Sequence, residues 1–431
     1  MRARELIIYR NFEYRELFEQ MAELLEDKTP LCAQAMPDSN ACAGQLIDLA
    51  VTYGFEGNLW HCFLAYTLAS HENPYSTSCE ITGPVEGSLN QLAAHDFQIM
   101  KELFDKDIRI LDGDRKDGIW AALCSYQGPS KNSRVFNKRI RDQIVALAVE
   151  LEKAEDCRKF QAAVTEFYRH FGVGKLGLNK AFRVEENGHD VHIRPITNVE
   201  HIYLRDIVGY EFQKEKLIEN TENFIKGKPA NNVLLFGDSG TGKSSSIKAL
   251  LNEYYDQGLR MIEVYKHQFK ALSNIQEQIK DRNYRFIIYM DDLSFEESEL
   301  EYKYLKAIIE GGLGKKPGNV LIYATSNRRH LIREKFSDKR ELDDDLHNND
   351  TVQEKLSLVA RFGVTIYFGS PDKKLFQEIV KTLAERNHIH MPMETLYGEA
   401  NKWELRHGGL SGRTASQFIT YLLGKTELDK N

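Results

Sequence analysis

The sequence predicts an α/β fold: a mainly parallel sheet with helices between its strands and further helices after it, preceded by a mostly α-helical N-terminal domain. Three observations carry this. Apolar residues recur three and four apart through the first part of the 431-residue chain, strands alternate with helices from Asn198 onward, and a glycine-rich loop stands between an apolar run and a helix at Gly237–Ser244.

Composition sets the outer bounds. A chain of 431 residues has room for about two or three domains with buried cores. Apolar and charged fractions of 42% and 28% are those of an ordinary globular protein. A net charge of -7 argues against a nucleic-acid coat protein and leaves local basic patches open. No stretch approaches the ~18 apolar residues of a membrane span, and Met1-Arg2-Ala3-Arg4-Glu5 leads into no apolar core. The expectation is a cytoplasmic protein with no membrane partner. All six cysteines fall between Cys32 and Cys157 without C-x-x-C spacing and read as free thiols. Cys62, Cys79, His61 and His71 lack the ligand spacing of a zinc site.

Helical periodicity in the first part covers Glu5–Glu26, Ala41–Tyr53, Leu59–Ser70, Leu89–Asp105, Val135–Lys153 and Cys157–Phe171, with Glu72-Asn73-Pro74 and Gly83-Pro84 read as links. No catalytic constellation appears there. Gly172-Val173-Gly174-Lys175-Leu176-Gly177 matches a dinucleotide pattern, but it follows a helix and not a strand, so it reads as a loop. Lys131, Arg134, Lys138, Arg139 and Arg141 form a basic cluster with no interleaved aromatics, which reads as a solvated helix face. Asn187-Gly188, between Phe182-Arg183-Val184 and Asp190-Val191-His192-Ile193, signals a hairpin at the join between domains, near Ile196.

Beyond that join the strand candidates are Val233–Phe236, Met261–Tyr265, Phe286–Met290, Val320–Ala324 and Val364–Phe368. Helices are expected over Glu211–Lys226, Lys243–Tyr255, Asn274–Asp281, Glu299–Glu310 and Thr351–Ala360, and after Pro371 over Lys373–Arg386, Met393–His407 and Ser411–Leu423. The charged run Lys335–Asp350 has nothing to form a core and is expected to be a surface loop.

The chemistry gathers around Gly237-Asp238-Ser239-Gly240-Thr241-Gly242-Lys243-Ser244. A triphosphate is cradled by main-chain N–H groups, so Gly237, Gly240 and Gly242 let the backbone turn and approach closely. Lys243 then reaches the β/γ-phosphates, and Ser244 offers a hydroxyl to Mg²⁺. The helix opening at Lys243, Ser244 and Ser245 adds its dipole. The strand Phe286–Met290 ends in Asp291 and Asp292, a carboxylate to hold Mg²⁺ and one to orient or deprotonate the attacking water. The strand Val320–Ala324 runs on to Asn327, a polar side chain able to reach the same water.

Phosphate loop, strand with paired carboxylates, strand leading to Asn327, Arg361-Phe362-Gly363 before the last strand and Gly412-Arg413 in a helical lid follow one another in the order of the AAA+ ATPases. Asp291 to Glu296, Ala324 to Leu331 and Glu354 to Gly363 resemble, more narrowly, an uncharacterised bacterial AAA+ family described only as a domain of unknown function. The resemblance implies a P-loop NTPase three-layer sandwich, with residues 1–196 a helical client-binding domain, 197–370 the ATPase base and 371–431 the lid. It implies that Lys243 and Ser244 are the Walker A pair and Asp291 the Walker B metal residue. Asn327 corresponds to sensor 1, Arg361 to the arginine finger acting on a neighbouring subunit, and Arg413 to the sensor 2 arginine. Ile207, Val208 and Gly209 match the segment that packs on adenine.

Most AAA+ proteins carry Glu where this chain has Asp292, which leaves Glu296 or Glu297 as substitutes for the water-directing role. Arg328 and Arg329 compete with Arg361 for the finger. The expected function is ATP- and Mg²⁺-dependent hydrolysis in a homo-oligomeric ring or arc, coupled to remodelling of a protein or nucleic-acid client. The alternatives are an ATP-controlled DNA-associated factor of the helicase-loader type and a small-molecule kinase.

Overall fold

The computed structural model describes residues 2–26, 37–113, 115, 118–128, 137–188, 190–295, 299, 301–310, 316–327 and 358–428. It divides into two compact units, Met1–Asn179 and Lys180–Asn431. Among the described residues no helix is long and apolar enough to cross a membrane. Lys131, Arg134, Glu296, Glu297, Arg328, Arg329, the run Lys335–Asp350 and most of the helix expected over Thr351–Ala360 lie outside the described residues.

The first unit is helical, with long helices at Ser39–Tyr53, Leu59–Ser70, Ser88–Phe104, Lys138–Glu152 and Cys157–Phe171. They enclose one core whose centre is aromatic, including Tyr9, Phe18, Trp60, Phe97, Phe160 and Tyr168. The helix expected from Glu5 begins only at Arg15. Asp96, wholly buried, accepts the backbone N–H groups of Ile7 (3.0 Å), Ile8 (2.7 Å) and Tyr9 (2.9 Å), and these cannot then serve a helix. Pro74–Thr82, read as the end of a link, is a helix: Asn73 caps it by accepting from Tyr75 and Ser76, and Pro74 occupies the first turn, where no N–H is needed.

The second unit is built on a seven-stranded sheet of β1 (Ala181–Asn187), β2 (Asp190–Pro195), β3 (Val233–Gly237), β4 (Leu259–Glu263), β5 (Arg285–Met290), β6 (Val320–Ser326) and β7 (Val364–Phe368). Its order is β2-β1-β4-β5-β6-β3-β7, parallel throughout except for the β1–β2 hairpin. β3, β5 and β6 are covered on both faces, which is why they read as continuous apolar runs and not as alternating ones. The boundary expected near Ile196 moves to Asn179–Lys180, because the hairpin continues the sheet through β1 pairing with β4.

Helices at Glu211–Ile225, Lys243–Tyr254, Leu272–Ile279 and Glu301–Glu310 connect the strands. After β7 come three more, Lys373–Arg386, Met393–Arg406 and Gly412–Leu428. These three have their own core of Phe376, Val380, Leu396, Ala400 and Phe418. The architecture is an α/β sandwich around a mostly parallel sheet, with a small helical subdomain following the last strand.

Candidate functional site

Because β3, β5, β6 and β7 run parallel, their C-terminal ends share one edge of the sheet, and the loop after β3 rises from that edge between β6 and β7. Gly237 sits at φ 133°, and a Cβ there would lie 2.1 Å from the carbonyl oxygen of Phe368, so only glycine lets β3 and β7 meet so closely. Asp238 continues the contact, donating its N–H to Phe368 O at 2.9 Å and accepting from the N–H (2.7 Å) and hydroxyl (2.9 Å) of Ser370. Gly240 and Gly242 both take positive φ, and the helix starts directly at Lys243.

The Lys243 ammonium is buried and donates to the loop's own carbonyls, Gly237 O (3.0 Å) and Asp238 O (2.6 Å), and to Asn327 Oδ1 (3.0 Å). Burial pulls its pKa below the ordinary lysine value, opposed by the carboxylates of Asp238, Asp292 and Asp291. Asn327 turns its amide nitrogen to Asp292 Oδ1 at 2.8 Å. Its oxygen therefore faces the cation and its N–H group the anion, the only orientation of the amide that satisfies both.

Ser244 Oγ donates to Asp291 Oδ1 at 2.7 Å, which brings together the hydroxyl and the carboxylate expected to share Mg²⁺. Thr325, at the end of β6, makes a contribution that the sequence motif did not reveal. Its buried hydroxyl donates to Asp291 Oδ1 (2.5 Å) and accepts the backbone N–H of Asp292 (2.9 Å). One side chain thereby fixes both carboxylates. Burial pushes the Asp291 carboxyl up, yet hydrogen bonds from Thr325 and Ser244 outweigh it and hold the group below its ordinary value. Asp292 turns the chain at φ 49°, a left-handed conformation that Asp tolerates better than most residues.

These groups face a cavity of about 620 Å³, within the range of small-molecule sites. Its floor is Ser239, Gly240, Thr241, Gly242, Lys243, Ser244 and Ser245, and Asp291, Asp292 and Asn327 stand to one side. Ile207 and Val208 also line it, and Arg413 comes from the last helix. The Arg413 guanidinium donates to Ser239 Oγ at 3.3 Å and its N–H to Gly240 O at 3.2 Å, so lid and loop are already joined.

Gly209 and Asp238 serve from behind. A Cβ on Gly209 would come within 2.6 Å of Leu375 on the first lid helix, so this glycine seats the lid. Residues not read from sequence complete the wall: Tyr210, whose hydroxyl donates to Gly369 O at 2.9 Å, and Arg386, whose guanidinium donates to Asp206 O (2.7 Å) and Arg205 O (2.9 Å). No local motif marks these two, because they reach the cavity through packing and not through the loop.

Arg361 stands apart. It lies three residues before β7, at the N-terminal edge of the sheet, whereas the phosphate loop leaves from the C-terminal edge. Five paired residues separate the two levels, about 13 Å of strand rise, so Arg361 cannot touch a phosphate held by its own chain. Its guanidinium is bound to Glu310, with Nε donating at 2.6 Å.

The cavity fits a nucleoside triphosphate with Mg²⁺ on two observations. A buried ammonium stands at the loop beside glycines of positive φ, and the Ser244 hydroxyl is paired with the Asp291 carboxylate, a donor set suited to a divalent cation.

In the first unit His61 stacks on Phe104 (3.9 Å, 15°) and bonds the Phe104 carbonyl at 3.0 Å. Cys42, Cys62, Cys79, Cys124 and Cys157 are free thiols, and Cys32 lies outside the described residues.

A family model described as "Protein of unknown function (DUF815)" matches residues 178–426. The large subunit of replication factor C from Staphylothermus marinus is 33% identical over 78 residues, which cover 18% of this chain and 18% of that one. The chain thus spans less than a fifth of that curated relative. Among solved structures, the RuvB Holliday junction branch migration motor of Thermotoga maritima matches at 15% identity and a TM-score of 0.37, covering 53% of this chain and 66% of that one. A variant of the same motor gives a TM-score of 0.38 with 67% of its length covered.

Proposed function

The chain belongs to the family described as DUF815, and from that premise we propose that it is an ATP- and Mg²⁺-dependent AAA+ ATPase, working as an oligomer in the cytoplasm and remodelling a client engaged by its helical N-terminal unit. One observation carries the reading. Lys243, Ser244, Asp291, Asp292 and Asn327, from three separate stretches of chain, converge on one cavity through direct hydrogen bonds.

In this reading Lys243 and the loop N–H groups hold the β- and γ-phosphates, and Ile207 and Val208 pack on the adenine with Gly209 behind them. Ser244 and Asp291 would hold Mg²⁺, which would supply charge neutralisation on the phosphate oxygens. Asp292 orients the attacking water and takes its proton. It is one methylene shorter than Glu, and its left-handed backbone together with the Asn327 amide sets where its oxygens stand. Asn327 bridges Lys243 and Asp292, so it is placed to sense occupation of the γ-phosphate position. Arg413 senses the nucleotide from the lid.

Arg361 acts on the ATP of a neighbouring copy. Fingers supplied in trans contribute on the order of 10³–10⁵ in rate. Specific ATPase activity is therefore expected to rise with protein concentration, and Arg361→Ala to abolish hydrolysis while ATP still binds. A dilute monomer as active per molecule as the concentrated protein overturns the shared site.

A further inference from the structure

We propose that the C-terminal helices carry a second binding site, a groove for single-stranded nucleic acid that shares no lining residue with the nucleotide cavity. The inference does not depend on the ATPase reading. The groove has a volume of about 910 Å³ and lies between the turn after the helix Lys373–Arg386, the last turns of Met393–Arg406 and the second half of Gly412–Leu428.

Its wall is a column of rings. Trp403 stands between His407, stacked at 3.8 Å and 10°, and Tyr421, at 4.8 Å and 32°. His407 cannot swing freely, because its Nδ1 donates to the Trp403 carbonyl at 2.9 Å. The two outer rings of the column, His407 and Tyr421, are both exposed, Tyr421 to 44%. The exposed His407 ring, pinned by its hydrogen bond, and the exposed part of the Tyr421 ring beside the Lys425 ammonium are thus placed to meet bases at little entropic cost.

Cations surround the rings. Lys402, Arg406 and Lys425 border the groove together with Glu399, which Lys402 engages at 2.8 Å. The Lys425 ammonium lies 5.2 Å over the Tyr421 ring. Alternation of ring faces with long cationic arms matches alternation of bases with phosphates along a strand.

An acidic peptide would use the cations and leave the rings without a role. A duplex would bury its base faces, and the rings could not reach them. The same test separates this groove from the helix Lys138–Glu152, where Lys138, Arg139 and Arg141 have no aromatic residue among them.

The experiment is fluorescence anisotropy of a labelled oligodeoxythymidylate of about 20 nucleotides with the full chain, titrated across salt. Binding is expected to weaken with salt. Lys402→Glu with Lys425→Glu is expected to weaken it by at least about tenfold and to flatten the salt slope by roughly 0.7 for each phosphate that is no longer neutralised. Tyr421→Ala is expected to weaken it about tenfold with the slope unchanged, since a ring releases no counterion. Lys402 and Lys425 are exposed, so those variants keep the fold even should Tyr421→Ala disturb the helix packing.

Absence of binding by the wild-type chain at low salt overturns the proposal. So do wild-type affinities in the charge variants, or displacement by polyglutamate combined with indifference to Tyr421→Ala, which marks an acidic-peptide site instead.

Discussion

Strand ends and a glycine loop position the polar groups of the cavity at the ends of β3, β5 and β6, whereas helices alone position the rings and cationic arms of the groove near the C-terminus. In the first, positions are set by strand register: Leu235 pairs with Thr325 and Met290 with Ala324, so Asp291, Asp292 and Asn327 must emerge beside the phosphate loop. Such a site tolerates little variation, since a shift of one residue in any strand turns its side chains to the other face. In the second, positions follow from helix packing and the rings are held mainly by one another. The first is suited to chemistry at a fixed point, the second to holding a flexible polymer.

The sharpest way to separate the two is Lys243→Ala. This ammonium is the buried charge around which the loop carbonyls and Asn327 are arranged, so its loss leaves those acceptors unpaired and removes the phosphate grip. Titration calorimetry with Mg²⁺ and ATP is expected to show no heat of association, while oligonucleotide binding stays at the wild-type value. A Lys243→Ala protein that binds ATP normally removes the loop from the function, and one that loses both ligands joins the two sites into one.

A smaller effect is expected from Thr325→Val, which keeps shape and deletes the hydroxyl that fixes Asp291 and the Asp292 N–H. ATP should still bind, because Lys243 and the loop are untouched. Turnover should fall about 10²-fold, the order expected when a reacting group is misplaced by about an ångström. Unchanged steady-state turnover would show that Asp291 and Asp292 are held well enough by Ser244 and Asn327 alone.

That contrast also explains what the sequence could reveal. The glycine loop was legible as a turn between strand and helix because glycine spacing, a buried strand and a helix N-terminus are consecutive in the chain. Asp291, Asp292 and Asn327 were legible because parallel buried strands read as apolar runs, and their ends are where side chains become polar. Thr325 was not, although it adjoins the same strand end, since nothing local tells a capping hydroxyl from a core one. Tyr210 and Arg386 were not, because their roles arise from contacts with Gly369 and Asp206 far along the chain. The hairpin was legible from Asn187-Gly188, but its partner β4 was not, which put the unit boundary too late. In the first unit Asn73-Pro74 read as a turn, although the same pair is an N-cap followed by a first-turn proline.

The smallest expected effect concerns pH and tests whether Asp291 is held as the geometry implies. Its folded pKa lies below the ordinary value, so its ionisation contributes stability that is present above the unfolded pKa and is lost as pH falls through the folded one. Burial alone would push the carboxyl the other way, and the Thr325 hydroxyl is the first of the hydrogen bonds that outweigh it. In Thr325→Val the burial is nearly unchanged while that bond is gone, so the Asp291 pKa is expected to rise. The Tm gap between wild type and variant should therefore be widest near pH ~6, where the wild-type carboxylate is fully ionised and stabilising, and should narrow toward pH ~3 as both proteins protonate. Melting curves across that window check it: a gap that stays constant with pH assigns the loss to packing, and leaves the Asp291 charge with no dependence on Thr325.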